Sequence, residues 1–431
     1  MTPFLIAALS LALAEPAETP PDLWLLSIDR WGNAEHKTLT LEPDGDAVAG
    51  RLGERTVEGT RTAGHLTLST REDDGATYAL DLTIQGDALT GWADYPDTNV
   101  EDARARHPVR GVRLTPPEGP PRRRTHTPSA YSNLFTADLP PAMLVRPGDV
   151  IVTRKIDSGG VDADGRTAAL YGNPQTGPFF VLGAKPGDVL AVHIGKLALN
   201  RDYADSLDGV TGRAMSLGMA RRMQDLGKRV RWKLDRTAGT ARLENPPPAL
   251  ADYVVPIRPM LGGLAVAPDF GFPPMSAGDT GRFGGNMDFN EIGEGATVYL
   301  PVFQPGAMLF LGDGHALQGD GETTQWALET SLDVEFSVEV LPARAVATPR
   351  IETPERLSAL GQAGSLDEAV RAATAGMIQW LTQDYGLSDR EASLILGVAA
   401  EYRIATLAGQ NAGVALSLNK ARLANLRRAE P

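Results

Sequence analysis

Apolar and polar residues alternate in short segments between residues 22 and 114. The segments occupy residues 23–28, 36–41, 65–70, 78–84 and 89–93, and turn-forming residues such as Gln85-Gly-Asp87 separate them. Alternation with a period of two places every second side chain on the same face of a β-strand, and Gly next to Asp favours a hairpin turn. The pattern predicts a small antiparallel β domain over residues 22–114, a barrel or half-barrel that serves as an accessory module.

The next two segments differ in proline content and in hydrophobic pattern. Residues 115–128 are rich in proline, which fixes φ and lacks an amide donor, so they predict a linker that forms neither a helix nor a central strand. In residues 129–346, Pro-Gly turns at Pro147, Pro186 and Pro305 each precede an apolar run. Such repeated turn-and-strand units indicate a β-sandwich, with a short helical interruption near residues 214–226.

Clear helical periodicity appears near the end of the chain. Ser365-Leu-Asp-Glu368 and Ser388-Asp-Arg-Glu391 both match the capping box that begins a helix. Apolar residues recur at helical spacing after each box, and we expect these two stripes to be core: Leu366, Val370, Met377, Ile378 and Leu381 in the first, and Leu394, Ile395, Val398 and Tyr402 in the second. The predicted fold is therefore mainly β: a small all-β domain, a jelly-roll-like β-sandwich, and a C-terminal helical segment at residues 350–425.

The N-terminus carries an apolar run at residues 4–14 that ends in Ala12-Leu-Ala14 before Glu15. A run of this length followed by a small-x-small pattern is typical of a signal peptide, and it is shorter than the about 20 residues that span a bilayer. We expect residues 1–14 to be a signal peptide and the protein to be exported, periplasmic or secreted, with no membrane span. The alternative is an apolar N-terminal segment that packs on the body.

Composition narrows the chemistry. The chain has 431 residues, enough for two or three domains, and its 41 Lys and Arg against 54 Asp and Glu give a net charge of −13. This acidic balance argues against nucleic-acid binding, which needs a positive field. The chain contains no cysteine, so a cysteine nucleophile is excluded and any covalent mechanism must use oxygen or nitrogen.

The densest set of polar residues lies in the segment Leu311-Gly-Asp-Gly-His-Ala-Leu-Gln-Gly-Asp-Gly-Glu322, where four glycines alternate with Asp313, His315, Asp320 and Glu322. In an extended chain Asp313 and His315 share a face, and so do Asp320 and Glu322. Imidazole and carboxylate groups are suitable ligands for Zn²⁺, Mn²⁺ or Fe²⁺. The segment predicts a metal or catalytic site, with a solvated Gly/Asp turn as the alternative.

Three further residues are candidates for the same site. Asp288 ends the segment Gly281-Arg-Phe-Gly-Gly-Asn-Met-Asp288, His193 lies within an apolar strand, and Asp157 precedes Ser158-Gly-Gly160. A lone histidine in an apolar strand also fits a hydrogen-bonded core residue, and Asp157 also fits a turn. Local signatures of metalloproteases, α/β-hydrolases and phosphate-binding loops are absent from the sequence.

These motifs, in order and spacing, resemble the acetamidase/formamidase family. The resemblance rests on Asn173-Pro-Gln-Thr-Gly-Pro-Phe-Phe-Val181, Gly183-Ala-Lys-Pro-Gly-Asp188, Gly284-Gly-Asn-Met-Asp288, Tyr299-Leu-Pro-Val302 and the segment from Gly312 to Glu322. It covers about residues 131–423 and leaves out the leader, the β module and the linker. The resemblance implies hydrolysis of a short-chain amide, such as formamide or acetamide, to a carboxylate and ammonia, and its motifs place Asp288, Asp313, His315 and Glu322 in the site.

The resulting hypothesis is an amidase that uses activated water. A divalent metal, with zinc favoured, is held by some of His193, Asp288, Asp313 and His315, and the metal activates the attacking water. Glu322 serves as general base and then protonates the departing amine, with Asp157 as a second catalytic carboxylate.

Two alternatives stay open. One is an exported binding or adaptor protein on an inactive amidase scaffold, and the other is a hydrolase of larger amides or esters that the β module admits. The expected partner is a small amide, and homo-oligomerisation is left open.

Overall fold

The computed structural model describes residues 22–44, 46–71 and 75–428. The predicted signal peptide at residues 1–14 lies outside these ranges. Within them, no helix combines the length and the apolar character needed to cross a membrane. By their internal contacts the described residues form two compact units, residues 22–25 with 38–114 and residues 26–37 with 115–428.

Eight strands between Asp22 and Leu114 form a closed barrel in which consecutive strands are neighbours. They are β1 (Asp22–Arg30), β2 (Asn33–Asp44), β3 (Ala47–Leu52), β4 (Arg55–Thr62), β5 (His65–Arg71), β6 (Thr77–Gln85), β7 (Ala88–Pro96) and β8 (Arg104–Leu114). The predicted alternation is realised, since Leu66 and Leu68 of β5 and Leu80 and Leu82 of β6 are buried while Asp81 is exposed. Closure pairs every strand and leaves no free sheet edge.

The second unit contains all the remaining described strands and three α-helices. The strands are β9 (Arg123–Thr125), β10 (Leu134–Phe135), β11 (Met143–Val145), β12 (Val150–Lys155), β13 (Thr176–Val181), β14 (Val189–Leu199), β15 (Tyr203–Leu207), β16 (Arg229–Asp235), β17 (Thr240–Leu243), β18 (Val254–Pro256), β19 (Met260–Ala265), β20 (Met275–Ser276), β21 (Thr280–Gly281), β22 (Gly284–Asn286), β23 (Thr297–Pro301), β24 (Leu309–His315), β25 (Leu332–Leu341), β26 (Arg350–Glu352), β27 (Arg356–Ala363), β28 (Glu401–Thr406) and β29 (Ala412–Asn419). The helices are α1 (Leu217–Arg222), α2 (Leu366–Tyr385) and α3 (Asp389–Ala399), with 3-10 turns at Gly212–Ala214, Pro248–Leu250 and Lys420–Arg422.

Two large sheets form the sandwich. One has six strands in the order β11-β13-β24-β19-β22-β21, and the other has nine in the order β28-β29-β27-β26-β23-β14-β25-β12-β9. Their inner faces meet at aromatic pairs, for example Phe179 of β13 against Phe336 of β25 with ring centroids 5.3 Å apart. All six residues of β19 are buried, as expected for a central strand. A four-stranded sheet of β15 to β18 and the pair of β10 with β20 complete the body.

The end of the predicted linker is part of a sheet. Arg123–Thr125 pairs in parallel with β12 and forms the last strand of the nine-stranded sheet. These residues lie between Pro121 and Pro128 and contain no proline, so their amides are free to donate. The linker interpretation of residues 115–128 therefore needs this correction, although the new strand is at an edge and not in the centre of the sheet.

The C-terminal segment is less purely helical than the sequence indicated. Both predicted helices are present, and Ser365 and Ser388 cap them by accepting from the amides of Glu368 and Glu391. However, residues 350–425 also contain β26 to β29, which extend the nine-stranded sheet. Helix α2 packs closely on β27, where a Cβ at Gly361 would lie 1.9 Å from the carbonyl oxygen of Ala369.

The expectation that both apolar stripes are core was wrong in part: Val370 of the first stripe is exposed, and in the second only Ile395 of the α3 residues packs against the core. Leu394 and Val398 of α3 are 66% and 86% exposed, and Tyr402 lies on β28 instead of the helix. Periodicity identifies residues that share a face, but it does not say whether another element covers that face. The predicted fold class is nevertheless confirmed: a mainly β protein with an all-β domain first and a small C-terminal helical segment.

Candidate active site

The site is built on three neighbouring strands of the six-stranded sheet. β19 pairs with β24 on one side, with Gly263 opposite Gly312, and with β22 on the other, with Gly263 opposite Asn286. This arrangement brings the end of β24, which carries Asp313 and His315, close to Asp288, which follows β22 in sequence. Residues separated by about 25 positions thereby meet across a single strand.

His315 is the centre of the cluster. Its Nε2 lies 3.0 Å from Glu329 Oε1, 3.4 Å from Asp313 Oδ1 and 4.0 Å from Glu322 Oε1. All four side chains are buried. Ligand atoms of Asp288, His315 and Glu322 lie within 4.8 Å of one another, and so do those of Asp313, His315 and Glu329. Five side chains that carry metal-ligand chemistry therefore share one buried volume.

A glycine on the central strand makes room for two of the carboxylates. A Cβ at Gly262 would lie 2.3 Å from Asp313 Oδ2 and 2.4 Å from Asp288 Oδ1. Both distances are far shorter than a carbon–oxygen contact. Any other residue at this position would push the two carboxylates away.

Hydrogen bonds fix the orientation of His315 and Asp288. The Nδ1 of His315 lies 2.7 Å from Gln318 Oε1, and the Nε2 amide of Gln318 donates to the carbonyl of Asp288. Because Gln318 Oε1 can only accept, Nδ1 carries a hydrogen and Nε2 faces the carboxylates. Asp288 Oδ2 accepts from Asn286 Nδ2 at 2.7 Å, and Asn286 Oδ1 accepts from Asn173 Nδ2 at 2.8 Å.

Three of the acids have left-handed backbone conformations. The φ angles are +45° for Asp288, +49° for Asp313 and +42° for Glu322. This region is costly for residues with a Cβ and is often found at functional sites. The strain indicates that the positions of these side chains, and not local stability, determine the backbone here.

Burial and mutual repulsion raise the pKa of most of the carboxyl groups. Burial, followed by the negative charge of Asp313, raises the pKa of Asp288 well above its usual value. Burial together with Asp288 does the same for the pKa of Glu322. Burial also raises the pKa of Glu329, even though His315 opposes the shift. Because the charged forms of these acids are disfavoured, a bound cation would stabilise them.

Two cationic groups compensate part of this negative charge. Burial alone would raise the pKa of Asp313, but the charges of His315 and Lys155 hold it below its usual value. Burial alone would lower the pKa of His315, whereas Glu329 and Asp313 raise it well above normal. Burial lowers the pKa of Lys155 to about 8, although Asp313 and Glu329 oppose this. The Lys155 ammonium donates to the carbonyl of Thr330.

The donor set fits a divalent cation. Asp288 Oδ1, His315 Nε2 and Glu329 Oε2 are buried, and none makes a hydrogen bond of good geometry among the residues that the structure describes, although His315 Nε2 faces Glu329 Oε1 at 3.0 Å. Buried polar atoms without partners are uncommon in folded proteins and call for an unseen partner. One imidazole with several carboxylates is a suitable ligand set for Zn²⁺, Mn²⁺ or Fe²⁺.

The structure does not bring every predicted site residue into this cluster. His193 belongs to neither group of potential metal ligands, and its Nδ1 hydrogen-bonds Thr297 Oγ1 at 2.7 Å. Asp157 forms a buried ion pair with Arg201 at 2.6 Å. Asp320 turns toward solvent and pairs with Arg403, so it does not share a face with Glu322.

Three residues of the site were not among the sequence candidates. Glu329 reaches His315 because the two residues form an isolated β-bridge, which local spacing does not reveal. Gln318 lies within the glycine-rich segment but carries no charge. Lys155 had a usable signal, since alternation along β12 places it on the same buried face as Ile151 and Thr153.

Comparison with known proteins finds sequence relatives of one family. Residues 276–411 match the model of the Acetamidase/Formamidase family. A putative formamidase from Schizosaccharomyces pombe is 54% identical over 39 residues, which is 9% of this chain and 10% of that protein. The match thus spans about a tenth of the length of that curated relative.

Solved structures resemble a larger part of the chain. An acetamidase from Yersinia enterocolitica has a TM-score of 0.61 and 26% identity, and the similarity covers 70% of this chain and 93% of that one. A predicted acetamidase/formamidase from Thermoanaerobacter tengcongensis has a TM-score of 0.61 and 28% identity over 70% and 97% of the two chains. An acetamidase from Bacillus halodurans, at 24% identity and a TM-score of 0.58 over 70% and 99%, shares the fold. The predicted resemblance is thereby confirmed, and the chain carries the sequence pattern of the acetamidase/formamidase family within residues 276–411.

Proposed function

We propose that the protein is an amidase that hydrolyses short-chain linear amides, of the formamide and acetamide type, to a carboxylate and ammonia. The observation that carries the proposal is the buried cluster around His315, with its three unpartnered ligand atoms. Asp288, Asp313, His315, Glu322 and Glu329 all lie within the segment that matches the family. The similarity to solved acetamidases supports the same reaction class.

The proposal includes a resident divalent cation, for which zinc fits the donor set. The residues that would hold it come from the two groups of potential ligands that share His315, which are Asp288, His315 and Glu322 in one and Asp313, His315 and Glu329 in the other. With Glu322 reserved for proton transfer, they supply one imidazole nitrogen and carboxylate oxygens. When bound, such a cation lowers the pKa of a water toward about 7 and polarises a carbonyl oxygen. Gln318 keeps His315 in the tautomer whose Nε2 can act as a ligand.

Glu322 is the proposed proton carrier. Its Oε1 accepts from the amide of Ala327 at 3.2 Å, which holds the carboxyl group beside His315. Its raised pKa suits a group that takes a proton and returns it. Glu322 takes a proton from the attacking water while the C–O bond forms, and delivers it to the nitrogen as the C–N bond breaks. The products are one carboxylic acid and one ammonia, so atoms balance.

A cleft next to the Glu322 loop is the proposed route for the amide. It has a volume of about 650 Å³ and is lined by residues that include Arg213, Ser276, Asp279 and Gln325. The amide of Gln325 donates to the carbonyl of Glu322 at 2.9 Å, so this wall of the cleft is one turn from the proton carrier. A polar cleft of this size admits a small amide.

The first experiment measures ammonia release from formamide, acetamide and longer linear amides. We expect turnover by the full-length protein and a kcat lower by about 10²- to 10⁴-fold in Glu322→Gln. Exposed Glu355→Gln is the matched control and should retain full kcat. Absence of ammonia from every amide would contradict the function and favour the binding or adaptor alternative.

The second experiment tests the cation separately. Dialysis against a chelator should abolish ammonia release, and added Zn²⁺ should restore it. Turnover that persists in protein shown by elemental analysis to be free of metal would refute the cation. It would leave amide hydrolysis itself in place.

A further inference from the structure

A second cleft, distinct from the acid cluster, lies where α2 meets the nine-stranded sheet. It has a volume of about 680 Å³, and residues of β14, β23, β25 and α2 line it. His193, Tyr299, Arg344, Arg350 and Arg428 contribute to its walls. Two acids, Glu339 and Asp384, also line it, so its basic groups outnumber its acids in a chain with a net charge of −13.

Arg350 is the exceptional residue in this cleft. Its side chain is among the largest that are fully buried, with 2% exposure for the residue. One guanidinium nitrogen donates to Gln379 Oε1 at 3.1 Å and to Gln383 Oε1 at 2.8 Å, which are neutral acceptors. Its Nε has no hydrogen-bond partner within the described part of the chain. The guanidinium lies over the Trp380 ring, 5.2 Å from its centroid, but no carboxylate of the described residues pairs with it. A buried charge without an ionic partner is costly.

Unlike Arg350, the neighbouring arginines pair with carboxylates. Arg344 contacts Asp384, and Arg428 contacts both Asp384 and Glu352. These carboxylates are thus already engaged by other cations. Burial, followed by the charge of Arg344, lowers the pKa of Arg350 to about 9. An anion bound in the cleft would offset both the burial of the Arg350 charge and its repulsion from Arg344.

His193 lies on another wall of the same cleft. Its Nδ1 is held by Thr297 Oγ1, and its Nε2 is 3.7 Å from Glu339 Oε1, too far for a direct hydrogen bond. Glu339 is 63% exposed by its side chain, so it can turn toward solvent. The imidazole Nε2 is then available to a ligand in the cleft.

We propose that this cleft binds a small oxyanion, a carboxylate or a phosphate, on the guanidinium of Arg350 with the imidazole of His193 as a second contact. The planar guanidinium matches two oxygens of either group, and charge-assisted hydrogen bonds of this type are the strong ones. The site uses the histidine that the sequence singled out but that the acid cluster does not include. It does not depend on the amide chemistry.

The test is isothermal titration calorimetry on the full-length protein at constant ionic strength. Sodium phosphate and sodium acetate are titrated separately, which distinguishes the two oxyanions. Saturable binding of at least one is expected, weakened by about tenfold or more in Arg350→Gln, because charge-assisted hydrogen bonds are lost. Arg154→Gln is the matched control, since Arg154 is exposed and 4.0 Å from Asp333, and it should bind as the parent does. Failure of both anions to saturate, or unchanged binding in Arg350→Gln, would overturn the proposal.

Arg350 is buried, so its replacement can disturb folding. His193→Trp provides an independent variant, because His193 is half-buried and the substitution removes the imidazole and places a larger ring in the cleft from the other wall. Circular dichroism establishes that the variant is folded. Weaker oxyanion binding is expected, and unchanged binding by folded His193→Trp would contradict the site.

Discussion

Two buried groups in the second unit both combine acids with cations but differ in how completely their hydrogen-bonding atoms are satisfied. Asp157 accepts from Arg201 at 2.6 Å and from the amide of Val161 at 2.7 Å. Arg201 also donates to the carbonyls of Tyr203 and Glu329. In the cluster around His315, by contrast, acids outnumber cations and three ligand atoms lack partners within the described ranges.

The difference separates a structural ion pair from a candidate active site. A buried charge that is paired and hydrogen-bonded holds two segments together, and removal of one partner leaves the other uncompensated. The acids around His315 repel one another, and three of them have left-handed backbone conformations, and each of these features costs stability. Sequence motifs alone placed Asp157 and Asp288 in one list, whereas their surroundings in the structure separate them.

The largest effect on turnover is expected from Asp288→Asn. The substitution keeps the shape and the acceptor for Asn286 but removes a charge that would hold the cation. We expect kcat to fall by about 10³-fold, since a Lewis acid supplies several kcal/mol to the transition state. Bound metal should fall in parallel by elemental analysis.

The thermal stability of Asp288→Asn, unlike its turnover, should not fall. Without metal, the melting temperature of Asp288→Asn should equal or exceed that of the parent, because a source of repulsion is removed. Asp320→Asn is the control, since Asp320 pairs with Arg403 outside the cluster, and its turnover should be unchanged. If Asp288→Asn is unstable but has a normal kcat, Asp288 is a structural residue. The cluster around His315 would then not differ in role from the ion pair of Asp157 and Arg201.

Much of the fold was predictable because its signals are local. Period-two alternation indicated the barrel strands, and the serines at positions 365 and 388 marked the starts of two helices. The strands after Arg350 were missed because α2 and α3 separate them in sequence, and the pairing of β27 with β29 joins residues about 50 to 60 positions apart. Pairing over such a distance leaves no pattern in a short window.

The site was predictable only in part, for a similar reason. Asp313, His315 and Glu322 lie in one glycine-rich segment, and Asp288 stands out after two glycines, so motif spacing identified them. Glu329 and Lys155 reach the cluster through pairing of strands and packing of sheets. His193 was singled out as an imidazole within an apolar strand, but the face of β14 that it occupies opens on the Arg350 cleft instead.

An intermediate effect is expected from Gln318→Leu. Leucine fills a similar volume but cannot accept from Nδ1 of His315, so the orientation of the imidazole is released. Loss of such an outer hydrogen bond lowers metal affinity by about 10- to 100-fold. Competition with a chelator measures this change, and excess Zn²⁺ should restore most of the turnover. If turnover stays low at saturating Zn²⁺, Gln318 contributes to the reaction itself and not to metal binding by His315.

The smallest effect on turnover, and the clearest loss of stability, is expected from Asp157→Asn. The change leaves Arg201 buried without its anion, which costs about 3 kcal/mol, so chemical denaturation should show a lower free energy of unfolding. Asp164→Asn, at an exposed ion pair with Arg166, should change it by less than about 0.5 kcal/mol. Turnover per folded molecule of Asp157→Asn should stay within a few-fold of the parent, because Asp157 belongs to neither group of ligand atoms around His315. A folded, stable Asp157→Asn protein without turnover would instead place Asp157 among the catalytic carboxylates, as its position before Ser158-Gly-Gly160 first suggested.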